Sequence, residues 1–257
     1  MRIVIDIRKS VEENAAEYFE KGKKEKKKIE GTRKIISEYE RKLLAAEADV
    51  VKKQQQAVVQ KRKKQEWFEK FRWFLSSDGF LVVGGRDATT NEIIIKKHAD
   101  KDDLVFHTDM AGSPFIVIKK DDKPEIPEST KEEAATFEAA FSRGWKQGMG
   151  TLPVFSARPE QLSKQPNTGE FISKGSFVVR GELKYYSPKM EFAVGLLEDG
   201  RVMGGPVSAV KKHCSKLVEV IQGDEKTSDV AKAVQKIIGG ELDEIIRALP
   251  QGCKFKR

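Results

Sequence analysis

The sequence predicts an α+β protein in which a long basic helical coiled-coil arm precedes a mixed α/β-sheet globular domain. Three observations carry this. Apolar residues recur at alternating steps of four and three along the first part of the chain. From residue 78 that rhythm gives way to short apolar runs bounded by turn residues. The 257 residues hold 48 Lys plus Arg against 40 Asp plus Glu, and the whole net charge of +8 falls in residues 1–75, where 21 basic side chains face 13 acidic ones. The expected organisation is an arm over 1–77 ending in an aromatic helix, a globular domain over 78–222, and C-terminal helices over 223–257 packed on it.

In the arm, positions 11, 15, 18, 22, 25, 29, 32, 36, 39, 43, 46 and 50 form the seam, and nine of the twelve are apolar: Val11, Ala15, Tyr18, Ile29, Ile36, Tyr39, Leu43, Ala46 and Val50. Ser10 with Glu13 three residues on reads as a capping box at the start. A helix of roughly 40 residues, about 60 Å long, has no core of its own to lie on, so its seam requires another helix in the chain or a partner. The run EWFEKFRWF (66–74) is expected to be that second helix, with Trp67, Phe68, Phe71, Phe74 and Leu75 on one face. Trp73 points away from this face and either packs on the globular domain or offers a stacking surface to a base. The runs KGKKEKKK (21–28) and KRKK (61–64) read either as a solvated helix surface or as an electrostatic stripe for a polyanion.

In the domain, FLVVGG (80–85), EIII (92–95), DLVFH (103–107) and FIVIKK (115–120) predict strands. Ser129 and Thr130 then open a helix with Glu132 and Glu133 placed for capping and a stripe of Ala134, Phe137, Phe141 and Trp145, ended by Gly148 and Gly150. Strands resume at 176–180, 191–197, 201–205 and 216–221. Two closing helices start near Asp229 and Glu241, separated by Gly239 and Gly240 and stopped by Pro250.

Several chemistries find no support. No stretch approaches the ~18 uninterrupted apolar residues of a spanning helix, so no membrane partner is expected. The start, MRIVIDIRKS, lacks the continuous apolar block of a signal peptide, which predicts a cytoplasmic protein. The only cysteines, Cys214 and Cys253, support neither a disulfide framework nor a zinc knuckle, and His213 and Cys214, being adjacent on one element, point apart. Phosphate-cradling glycine motifs, a GxSxG elbow and HExxH are absent, so no cofactor is expected.

Three polar clusters remain. In GGRDATTNE (84–92) two glycines turn the chain after a strand and Arg86, Asp87 and Asn91 project from the turn, although an ordinary hairpin loop has the same composition. In FHTDMAGSPF (106–115) His107 and Asp109 share one strand face by the two-residue period, which also admits a metal or acid/base pair lacking a third ligand. The polar loop 164–181 carries Lys164, Lys174, Ser176 and Arg180.

EWFEKFRWFLSSDGFLVVGGRDATTNE, DLVFHTDMAGSPFIVIKK and NTGEFISKGSFVVRG, in this order, resemble the NFACT-R domain of the ribosome-associated quality-control factors, the family that includes the fibronectin-binding protein A-like bacterial members. The likeness is dense over 66–205, is nearest to archaeal members, and extends to KSVEENAAEYF (9–19), which resembles the family's middle coiled coil. Full-length members also have an NFACT-N domain and a helix-hairpin-helix segment before that coiled coil. This sequence has counterparts of neither, so the expectation is the coiled-coil plus NFACT-R half, a fragment or a stand-alone product.

The resemblance implies a non-enzymatic RNA-binding module acting on large ribosomal subunits obstructed by peptidyl-tRNA. Its partners would be rRNA and tRNA, and its role would be to support untemplated C-terminal tailing of stalled chains. Arg86, Lys164, Lys174 and Arg180 are expected to contact phosphates, and Asn91 and His107 a base edge or 2′-OH. Asp87 and Asp109 would orient Arg86 and His107. The competing readings are a coiled-coil adaptor whose rod recruits a protein partner or self-associates, and a metal-dependent nuclease using His107 and Asp109.

Overall fold

The structure, a computed structural model, describes residues 3–59, 66–165 and 171–256. It divides into two units, residues 1–65 and 66–257.

The first unit is built on α1 (Val11–Val59). Its start follows the capping-box prediction: Ser10 Oγ accepts the Glu13 backbone N–H at 3.1 Å, and Glu13 returns a carboxylate oxygen to the Ser10 N–H at 2.8 Å. At 49 residues the helix spans about 74 Å. Tyr18, Ile29, Ile36, Tyr39 and Leu43 of the seam are all 45% or more exposed, so nothing among the described residues of the unit covers them. The side chains of Ala46 and Val50, and the KRKK run, lie outside the described residues, as does the stretch 166–170 of the third polar cluster.

In the second unit the aromatic segment is not a helix and does not end the arm. Trp67–Lys70 form one 3-10 turn, and β1 (Arg72–Leu75) follows. β1 pairs antiparallel with β2 (Leu81–Gly84) through Phe74 opposite Val82. Aromatic residues fit a pleated, half-buried surface well, and tertiary pairing overrides the helical spacing: Phe71 and Phe74 are buried in the domain's own core. Trp73 packs edge-on against Phe68 at 4.9 Å and beneath the Arg201 guanidinium at 5.1 Å.

EIII is likewise not a strand. Asp87 caps α2 (Ala88–Ile93), which continues as a π-type turn over Ile94–His98. β3 (Leu104–His107) and β4 (Ile116–Lys119) form as predicted. The long helix expected from Ser129 to Gly148 breaks into α3 (Glu128–Ala140) and α4 (Arg143–Lys146), because Ser142 Oγ caps the second at the Gly144 N–H. β5 (Val154–Ala157), unforeseen in the sequence, joins the sheet. The 176–180 strand shrinks to a two-residue ladder of β6 (Leu162–Ser163) with β7 (Val178–Val179). β8 (Lys184–Tyr186) completes an antiparallel six-stranded sheet of order β1-β2-β4-β3-β5-β8.

A four-stranded sheet follows, built from β9 (Phe192–Leu197), β10 (Val202–Gly205), β11 (Cys214–Gln222) and β12 (Cys253–Phe255) in the order β10-β9-β11-β12. α5 (Val207–His213) leads into β11, and α6 (Thr227–Ile238) and α7 (Leu242–Ala248) flank Gly239 and Gly240 as anticipated. His213 and Cys214 act separately: the His213 ring bonds the Ser76 carbonyl at 2.7 Å, and Cys214 is buried.

Both faces of the six-stranded sheet are covered. Phe74, Val82, Phe106, Ile116 and Ile118 join the main core with α3 and the second sheet. The alternate residues Val83, Val105 and Val117 meet Phe71, Ile94 and Phe115 in a smaller cluster on the other face, as a two-residue period requires. His107 continues the Val105 face at the end of β3. It therefore stands where this smaller cluster runs out, and the candidate cleft begins there.

Candidate nucleic-acid interface

At this end of the sheet the chain leaves β2, β3 and α3 by turns that surround a cleft of about 600 Å3. Arg86, Asp87, Asn91, His107, Asp109 and Lys174 of the predicted residues all line it, joined by Arg72, Arg143 and Lys146. Lys164 and Arg180 do not. Lys164 lies 3.6 Å from Glu92 and over the Phe177 ring at 4.4 Å, and the Arg180 guanidinium bonds the Gln165 carbonyl.

The local geometry departs from the projecting turn expected of GGRDATTNE. Asp87 Oδ1 accepts the Thr90 N–H at 2.8 Å, while Thr90 Oγ1 accepts the backbone N–H groups of Arg86 and Asp87. Asp87 is thus a helix cap, held below the usual carboxylate range first by that backbone bond. It orients α2, not Arg86. Arg86 instead donates to the backbone carbonyls of Glu69 and Phe71. Asn91 is 8% exposed and faces inward: its Oδ1 accepts the Phe115 N–H at 3.1 Å and its Nδ2 donates to the Ser113 carbonyl at 3.4 Å. It clamps the turn into β4 and is a positioning residue. Gly85 leaves room for this clamp, since a Cβ there would lie 1.8 Å from Asn91 Oδ1.

His107 and Asp109 are not a pair. β3 ends at His107, and Asp109 lies exposed in the following bend. The His107 ring stacks on Phe115 with centroids 3.9 Å apart and is fixed by a 2.8 Å bond from Nδ1 to the Pro114 carbonyl. A carbonyl only accepts, so Nδ1 carries the proton. Burial lowers the ring's pKa, against smaller contributions from that bond and from Asp109. The neutral ring then leaves Nε2 as an acceptor. Among the described residues no group of three or more His, Cys, Asp or Glu is placed to hold a metal ion.

Charge is what distinguishes the cleft. Five cations line it, Arg72, Arg86, Arg143, Lys146 and Lys174, against two carboxylates, Asp87 and Asp109. Some cations elsewhere in the domain sit on acids, among them Lys119 on Asp100 and Asp103, Lys184 on Glu128, Arg201 on Asp199, and Lys211 and Lys256 on Glu219. None of the five has a carboxylate within 4.0 Å among the described residues. Burial pushes the Arg72 guanidinium down to about 10, with repulsion from Arg86 adding to it, so both remain charged at neutral pH. Two partly buried guanidinium groups that repel each other, offset only in part by Asp87, are an arrangement that an anion relieves.

Arg72, Arg143 and Lys146 were missed in the sequence for an identifiable reason. Arg72 interrupts an otherwise apolar strand, a signal masked by reading the segment as a helix. The other two fall within a stretch whose spacing reads as one continuous helix, which the Ser142 cap in fact breaks.

A family model described as the NFACT protein RNA binding domain matches residues 70–181, a span that contains all nine of these cleft residues. An NFACT-R domain lies in this span. An archaeal Rqc2 homolog, aRqcH of Methanocaldococcus jannaschii, is 41% identical to it over 74% of this chain and 29% of that protein. The ribosome quality control complex subunit NEMF of Homo sapiens is 31% identical over 90% of this chain and 21% of its own length. A NEMF homolog of Drosophila melanogaster is 33% identical over 75% and 19%. The chain therefore spans less than a third of the curated relatives it matches, and identity is higher to the archaeal one than to these two animal ones. A solved structure, the C-terminal part of the fibronectin/fibrinogen-binding protein of Streptococcus suis, aligns at TM-score 0.40 and 25% identity over 50% of this chain and 48% of that one.

Proposed function

We propose that this NFACT-R protein is a non-catalytic RNA-binding module of a cytoplasmic ribosome quality-control factor. It would engage tRNA or rRNA on large subunits obstructed by peptidyl-tRNA and support C-terminal tailing of the stalled chain. The observation that carries the reading is the gathering of five cations in one cleft, none with a carboxylate within 4.0 Å among the described residues. Phosphates supply the missing charge, and Arg and Lys contacts to phosphate hold RNA without reading its sequence.

Co-sedimentation with large ribosomal subunits, with and without bound peptidyl-tRNA, tests it. Obstructed subunits should retain the protein. The double variant Lys146→Gln/Lys174→Gln changes two exposed side chains and should lose at least tenfold in affinity. Retention equal to wild type by the double variant would remove the cleft from the interface.

The coiled-coil adaptor remains a second reading on one observation, the exposed apolar seam of α1. A rod of that length with an uncovered seam calls for a helix partner, another protein or a second copy. Residues 66–257 alone would keep RNA affinity and lose that partner.

A further inference from the structure

The cleft is too small for a double helix and too polar on one wall, too aromatic on the other, to be a plain phosphate groove. Its volume of about 600 Å3 falls in the range of pockets that hold one compact ligand, ~300–1,000 Å3. Duplex-binding domains instead spread over ~16 base pairs.

Its lining contains groups that ask for a specific occupant. Ser113 is 4% exposed, lines the cleft, and its Oγ has no hydrogen-bond partner among the described residues. The Arg86 Nε is likewise buried and unpartnered there, although the far end of the same guanidinium is held by two carbonyls. A buried polar atom left without a partner costs free energy, and a ligand that supplies the missing acceptor recovers it. Opposite in character, neutral His107 presents a lone pair at Nε2, so a donor is wanted as well. Phe115 and Phe141 also line the cleft, the first beneath the stacked His107 ring and the second beneath the Arg72 guanidinium.

Phosphate or carboxylate alone satisfies the donors but not the acceptor or the aromatic wall. We infer that the cleft receives a single unpaired ribonucleotide of the bound RNA, with its phosphate toward Arg86, Arg143 and Lys174 and its base or 2′-OH toward His107 and Ser113. This rests on the RNA-binding reading of the same cleft and narrows it from backbone attraction to capture of one nucleotide displaced from a loop, bulge or end.

The test uses the full chain and three RNA hairpins of equal length measured by fluorescence anisotropy. One is fully paired in its stem, one carries a single-nucleotide bulge, and one carries an abasic site at that bulge, which keeps the phosphate and removes the base. The bulged RNA should bind about tenfold tighter than the other two. His107→Phe should bring the bulged RNA down toward the abasic one. The His107 ring is half-buried and stacked on Phe115, so Lys174→Gln, on an exposed side chain, serves as the variant that does not depend on repacking. It should weaken the bulged RNA by more than the paired one. Binding to all three RNAs with equal affinity would overturn the nucleotide assignment and leave RNA binding standing. Binding to none of them would overturn the RNA reading itself.

Discussion

Single residues in this fold often do something other than what their type suggests. Asp87 was expected to steer Arg86 and instead caps α2. Asn91 was expected to meet RNA and instead ties down the backbone of β4. Both were recognisable as special from their place beside two glycines, but an Asn at a turn and an Asn buried beneath one have the same local sequence. Only Gly85, whose missing Cβ admits the Asn91 carbonyl, separates the cases. Glu138 is a case the sequence did not flag at all. It sits fully buried in α3, neither carboxyl oxygen has a hydrogen-bond partner among the described residues, and burial pushes its pKa well above 4.5. The unfolded chain releases this proton near the ordinary value while the folded chain retains it. The contribution of Glu138 to stability is therefore fully present below pH 4.5 and is lost as pH rises through the folded pKa. Glu138→Met, close in volume and with no charge to bury, should stabilise the protein by about 1–3 kcal/mol at neutral pH. The gain should shrink as pH is lowered to 4.5, and thermal unfolding of both proteins across that interval would show it. Parallel stability curves would contradict the account.

At the scale of elements, strands with continuous β-branched and aromatic runs were legible: LVVG, LVFH and IVIK all lie where their composition places them. Elements whose character depends on a partner were not. RWFL has helical spacing as well as strand composition, and only pairing with β2 decides it. III after Asp87 and Thr90 becomes helical because the capping box fixes the chain direction before the β-branched residues are reached. The loop that brings Lys174 to the cleft turns on Gly175, which has φ +80° and lies so close to α2 that a Cβ would meet the Ala88 Cα at 2.5 Å. Both the left-handed backbone and the contact exclude a side chain. Gly175→Ala should lift the 173–176 loop off α2 and withdraw Lys174. RNA affinity should fall severalfold, while the domain core, to which this loop contributes little, should keep its unfolding midpoint within a few degrees. A large loss of stability with unchanged affinity would reverse that assignment.

For the whole molecule, the charge separation seen in the sequence acquires a physical division. Residues 1–65 carry 19 basic and 11 acidic side chains and residues 66–257 carry 29 of each, so one unit holds the entire excess of +8 and the other has none. A sum of zero would predict a domain indifferent to polyanions. Its cations, however, are not spread evenly, and five of them gather in the cleft with no carboxylate within 4.0 Å among the described residues. Attraction to RNA depends on the local field and not on the total, and each phosphate neutralised releases counterions that make affinity salt-sensitive. Residues 66–257 contain both apolar clusters, so that unit is expected to fold alone and can be measured alone. If all five cleft cations meet phosphates of single-stranded RNA, log K should fall with log salt at a slope of about −3.5. Lys146→Gln/Lys174→Gln should flatten it by about 1.4. The full chain should give a steeper slope wherever Lys21–Lys28 also contacts RNA, and the difference between the two slopes counts those added contacts. A slope near zero for residues 66–257 would mean that the cleft's cations meet no phosphate, and the RNA affinity of the full chain would then belong to the helical arm alone.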